Sequence, residues 1–115
     1  MIIEKFIIEK LKNKLGVPTF AEVPKDISYP FLVVSKTGGK DKNYISNHSI
    51  IVQSYDKTLL KAAELSERVV DAMYEIEAND EICSVSLDGN YPFNDTTNKR
   101  YRYQAIFNVY YYGGN

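Results

Sequence analysis

Apolar residues recur at two different spacings along this chain of 115 residues, and the changes of spacing divide it into elements. From about Ile2 to Leu15, the residues Ile3, Phe6, Ile7, Leu11 and Lys14 or Leu15 recur at three- and four-residue steps. Glu4, Glu9, Lys10, Lys12 and Asn13 fill the other side, which predicts a short amphipathic helix. Gly16 is placed to end it, and Pro18 keeps it from resuming. Thr19 to Val23 reads as a short strand. Pro24 and Pro30 then fence a corner in which Asp26 and Ser28 bond local backbone in place of a regular ladder. Phe31 to Lys36 is the next strand, apolar enough to be covered on both faces over part of its length. From Thr37 to Tyr44 the composition turns to Gly, Lys, Asp and Asn, which predicts a long mobile hairpin connection.

The second half repeats the change of period. Asn47 to Tyr55 is a strand with Ile50 and Val52 toward the core, while Ile51 and Tyr55 offer its other face to a second apolar surface. Asp56 is the expected cap of a helix over 57–77, whose stripe is Leu59, Ala62, Ala63, Ser66, Val69, Val70, Met73 and Ile76. Asn79 and Asp80 end it. Cys83, Val85 and Leu87 alternate in a strand from Glu81 to Leu87. From Arg100 to Tyr112, the core side is Tyr103, Ala105, Phe107, Val109 and Tyr111. Asp88 to Lys99 between them is a polar loop or irregular hairpin. The predicted fold is α+β in the order α-β-β-β-α-β-β, one domain over 1–115. It is a two-layer sandwich with a mostly antiparallel sheet packed on two helices.

Composition narrows the function classes. Lys and Arg total 14 against 15 for Asp and Glu, with 44% apolar residues. That balance argues against disorder and against a protein that coats nucleic acid through net charge. Apolar runs are too short to span a bilayer, and Glu4 and Lys5 interrupt what would be a signal peptide's apolar region, so the expected location is cytoplasmic. A lone Cys83 cannot form an internal disulfide.

Catalytic and metal chemistry find little to work with. His48 and Cys83 are the only imidazole and thiol, they fall in different strands, and the alternation around Cys83 predicts a buried, inert residue. Two such side chains are too few for a zinc site, and Glu81, Asp88 and Asp95 match no calcium-loop spacing, so no cofactor or metal is expected. Gly38-Gly39-Lys40 lacks the earlier Gly and the following Ser or Thr of a phosphate loop. The aromatic and basic residues carry more. Tyr101, Tyr103, Tyr110, Tyr111 and Tyr112 interleave with Arg100 and Arg102, a combination that serves a single-stranded nucleic-acid platform, a protein interface, or simply a strand. Tyr110 and Tyr112, opposite the inferred core, are the candidates for contact with a neighbour. Tyr101, Arg102 and Tyr103 would carry the nucleic-acid alternative.

The stretch Val23, Pro24, Asp26, Pro30, Phe31 and Val34, followed by Thr37-Gly38-Gly39, resembles the tail terminator and tail-completion proteins of long-tailed bacteriophages and prophages. In that family a V-P-x-D-x-x-x-P-F-x-x-V run leads to a T-G-G turn. The strand ending Gln53-Ser54-Tyr55-Asp56 and the helix opening Lys57-Thr58-Leu59-Leu60-Lys61-Ala62-Ala63 extend the match in order over most of the chain. Frequent Lys, Ile, Asn and Tyr, with their AT-rich codons, fit a low-GC bacterial host or its phage. The resemblance implies a non-enzymatic subunit of a hexameric ring that caps the tail tube and mediates head-tail joining. Its partners would be the tube protein and a head-completion protein, with assembly in the host cytoplasm and a place at the head-proximal end of the virion tail. It also implies an interface role for Gly38, Gly39, Lys40 and Lys42. The alternative within the same class is another head-tail connector or minor capsid subunit.

Overall fold

The computed structural model describes residues 1–42 and 44–113. Helix α1 (Ile3–Leu15) closes on Gly16, whose φ of 65° is the left-handed conformation glycine adopts without a Cβ clash and whose amide donates to the Lys12 carbonyl at 2.9 Å. Strands β1 (Thr19–Phe20), β2 (Phe31–Lys42) and β3 (Ile45–Asp56) follow, then α2 (Leu59–Ile76), β4 (Ile82–Pro92) and β5 (Tyr101–Tyr112). The strands form one sheet in the order β1-β2-β3-β5-β4, antiparallel throughout except for the short parallel pair β1–β2. The fold is thus α+β with the element order read from the sequence. The main core lies between the sheet and the helices: Ile3, Ile7 and Leu11 of α1 and Leu65, Val69 and Met73 of α2 cover Leu32, Val34, Ile50, Val52, Phe107 and Val109.

Several local expectations are corrected. The first strand stops at Phe20, because the chain turns away into the proline corner, which contains a cis Tyr29–Pro30 bond. Thr37 to Lys42 is no loose loop: β2 continues through it, paired to Lys42↔Ile45, and Gly38-Gly39 makes a β-bulge where a turn was expected. Gly39 permits this, since a Cβ there would run into the Asn47 carbonyl and the His48 ring. Polar composition predicts exposure, and these residues are exposed, but it does not predict whether the backbone is paired. The cap of α2 is Thr58, which accepts from the Lys61 amide at 3.1 Å, while Asp56 accepts from the adjacent Lys57 amide. Its buried stripe takes in Leu65 and Ala72, and Leu59 turns outward.

Beyond α2, the strand predicted to end at Leu87 reaches Pro92 and carries register shifts between Ile82 and Ser84 and between Leu87 and Gly89. The first shift breaks the simple alternation, so Ile82 and Val85 enter the core and Cys83 is only partly buried. Beside the second, the Leu87 amide donates to the Tyr74 hydroxyl of α2 at 3.1 Å, and Ser66 on the same helix donates to Asn90 at 2.7 Å. On β5 the alternation holds for Ala105, Phe107, Val109 and Tyr111, whereas Tyr103 is half-buried and stands outside the core cluster. Residues 93–100 form the irregular hairpin, with Asp95 bridged to Arg100.

Candidate interaction surface

The helices cover one face of the sheet. The other face is divided across the middle. Near the proline corner, the ladder Phe31–Tyr55–Arg102 and the ladder Val33–Gln53–Gln104–Tyr91 cross the strands side by side. Phe31, Val33 and Tyr55 are buried there under Phe20, Ile27 and Tyr29 from the corner segment. The Phe31 and Tyr55 rings stack with centroids 4.4 Å apart and planes within 10°. Arg102 closes the end of this cluster: it donates to the Phe93 carbonyl and the Tyr55 hydroxyl, and its guanidinium lies 4.8 Å from the Phe93 ring centre. Gln53 donates to Gln104, which donates to the Tyr91 hydroxyl, so the polar groups of the patch satisfy one another.

Further along the same strands, no segment returns over the sheet among the described residues. The ladders are Ser35–Ile51–Ile106–Gly89, Thr37–Ser49–Asn108–Ser86, Lys40–Asn47–Tyr110–Ser84 and Lys42–Ile45–Tyr112. Ile45, Tyr110 and Tyr112 are 40%, 39% and 49% exposed. Lys40, Lys42, Ile45, Asn47 and Tyr110 line a shallow recess of about 360 Å³. The strands therefore bring together four of the residues singled out from sequence: Lys40, Lys42 and Tyr110 share this recess, and Tyr112 lies beside it. Gly38 and Gly39 form the bulge that shapes the ribbon. Gly38 faces open space, while Gly39 is fixed by the close passage of His48. Ile45, Ile51 and Ile106 belong to the same surface. Of these, the sequence pattern marks Ile51 as facing a second apolar surface, while Ile45 lies outside the strand predicted from Asn47, and what covers a strand face is not a local property.

Beneath the recess, on the helix-facing side, is a polar cluster. The Tyr111 hydroxyl and His48 Nδ1 are 2.9 Å apart, His48 Nε2 lies 3.9 Å from Asp41, and the Ser46 hydroxyl donates to Asp41. Burial pushes the Tyr111 phenol above its ordinary range. The neighbouring Cys83 thiol pushes the Tyr112 phenol upward as well. His48 is instead bonded to Tyr111 beside Asp41, and Cys83 has no hydrogen bond to it. Among the described residues, no group of three His, Cys, Asp or Glu side chains is arranged to hold a metal. Glu81 is exposed just before β4 and Asp88 is exposed on it, and Asp95 is held below its ordinary range by the Asn98 side chain and amide in the hairpin.

The nucleic-acid candidates are not assembled into one platform. Arg102 points to the corner side of the sheet and is bonded there, whereas Tyr101 and Tyr103 alternate to the opposite side. Among the described residues, no helix is long and apolar enough to cross a membrane. No protein-family model matches the chain, and no curated protein matches it significantly.

Proposed function

We propose that this chain is a non-enzymatic structural subunit of a phage or prophage tail, which closes into a ring at the head-proximal end of the tail tube and offers a surface for head joining. The observation that carries the reading is the divided sheet. One half is sealed by the chain's own corner segment, and the other leaves an aromatic and aliphatic surface flanked by lysines in solvent. Tyrosine-rich surfaces of this kind are characteristic of protein contacts. The α+β element order is also the one that the resemblance to tail terminators implies. The work of such a subunit is geometric: heterologous contacts between copies close into a ring when the rotation permits, and closure ends a polymerisation that an open helix would continue. Tail tube protein would meet one rim and a head-completion protein the other.

Electron microscopy of the purified chain is the direct test, with closed rings expected, hexameric as the resemblance implies. Monomers at all concentrations, or open filaments alone, would count against the reading. In the phage, deletion of the gene should leave filled heads without tails together with tails of abnormal length. Normal virions from the deletion would refute the proposal.

A further inference from the structure

We propose that the open half of the sheet receives the acidic outer stripe of α2 from a second copy of the chain, so that subunits meet head to tail. This rests on the ring reading and names the two surfaces that would form its contact. The charges of the molecule nearly cancel in total, with a net charge of −1, but two local surfaces carry one sign each. On α2, Leu60, Glu64, Glu67, Asp71 and Tyr74 follow at steps of four, three, four and three, which places them on one face of the helix. All five are exposed, Leu60 at 70% and Tyr74 at 44%, although Glu67 and the Tyr74 hydroxyl also accept hydrogen bonds from Asn90 and Leu87 of β4. Arg68 is the only basic residue between Glu64 and Glu81, and its guanidinium is drawn aside to the Leu15 carbonyl at 3.1 Å.

The open sheet half has the opposite character. Lys40 and Lys42 border Ile45, Tyr110 and Tyr112, and Asp41, the acid between the two lysines, turns to the helix side toward Ser46 and His48. Each surface therefore pairs apolar ends or floors with a single sign of charge, and the signs are complementary. The dimensions agree too. Leu60 to Tyr74 spans roughly 21 Å of helix at 1.5 Å per residue, and Ile45 to Ile51 spans roughly 20 Å of strand at 3.4 Å per residue.

The two surfaces lie on opposite layers of the sandwich, so they cannot meet within one copy. Nor can a single pair of copies satisfy both surfaces at once by a two-fold exchange. The contact must be heterologous, and it leaves a free helix stripe and a free sheet half at each end for the next copy. That is the geometry a ring requires.

Sedimentation velocity on the full chain tests this. Lys40→Glu with Lys42→Glu should shift the oligomer to the 13.2 kDa monomer and weaken association by about a hundredfold, and Glu64→Lys with Glu67→Lys should do the same. Circular dichroism should show both variants folded. Mixing the two should restore assembly, because the acidic helix of one then meets the basic sheet of the other, and the reversed pair also attract. The chain carrying all four changes should likewise assemble alone. Wild-type association in either charge-reversed variant, or two dissociated variants that fail to rescue each other, would overturn the pairing while leaving a ring built through other surfaces. A wild-type chain that never self-associates would overturn both the pairing and the ring.

Discussion

The two halves of the outer sheet face are built from the same three strands, β2, β3 and β5, with similar residue types, yet only one of them is finished. At the corner end, Phe31, Val33 and Tyr55 lie at 0%, 7% and 1% exposure. At the hairpin end, Ile45, Tyr110 and Tyr112 stand in solvent although they occupy equivalent positions on the pleat. The difference lies in where the chain goes next. Eleven-residue segment 20–30, anchored by Phe20, Ile27 and Tyr29, folds back over the first half, and no described segment does the same for the second. An apolar strand face thus reports that something must cover it, not what does. This is why the corner is read as fold and the hairpin end is proposed as an assembly surface, even though both are aromatic.

If the sealed half is part of the folding unit, its truncation should be the most damaging change. Phe31→Ala removes the ring that stacks on Tyr55 and touches Phe20 and Tyr29, and is expected to cost about 3–5 kcal/mol in urea unfolding of the monomer. A cost no larger than that of an exposed site would erase the distinction between the halves.

The next largest effect should come from the bulge within the open half. Gly39→Ala places a methyl against the Asn47 carbonyl and His48 and is expected to cost about 1–3 kcal/mol, while Gly38→Ala, facing open space, should stay within about 0.5 kcal/mol. Equal costs at the two glycines, measured by the same unfolding experiment, would mean that the ribbon does not hold this register.

These contrasts also mark where the sequence was legible. Alternation over β3 and β5 identified Ile50, Val52, Phe107 and Val109 as core and placed Tyr110 and Tyr112 outside it, since a two-residue period is written directly into a strand. The apolar partner expected for Tyr55 is present as the Phe31–Val33 cluster. The failures share a cause. Cys83, the strand end expected at Leu87 and the Thr37–Lys42 ribbon lie at or beside register shifts, where an extra residue changes the pairing without changing composition. The Thr58 cap lost to Asp56 in the sequence reading because both are good capping residues and only backbone geometry separates them. The opposition between a basic sheet half and an acidic helix stripe could not be read locally, since it depends on which layer each element joins.

A smaller effect is expected beneath the open half. Tyr111→Phe leaves His48 Nδ1 without its phenol partner and should cost about 1 kcal/mol at neutral pH, read by urea unfolding. Because burial raises the folded-state pKa of Tyr111 above its ordinary 10.0, the folded protein binds this proton more tightly than the unfolded chain. The resulting stability is fully present below the ordinary value and is lost as pH rises through the raised one. The wild type should therefore lose its advantage over Tyr111→Phe above about pH 10. A gap between them that widened with alkalinity would contradict the buried setting of this phenol.

The smallest effect on the monomer should come from the open half itself, and it sharpens the comparison most. Tyr112→Ser removes a ring that is 49% exposed and packs on the solvent side of β5, so the monomer should lose no more than about 1 kcal/mol, the span of strand propensity. Tyr110→Ser should behave alike, since its ring edges the recess with Lys40 and Lys42 and is not part of the buried core. The same two variants should nevertheless impair assembly, because a tyrosine at the centre of a protein contact contributes far more to the complex than to the free subunit. Unfolding by urea and sedimentation of each variant separate the two quantities. A large loss of monomer stability would make the hairpin end a part of the folding unit after all, and undiminished assembly would leave its aromatic surface without the partner that explains it.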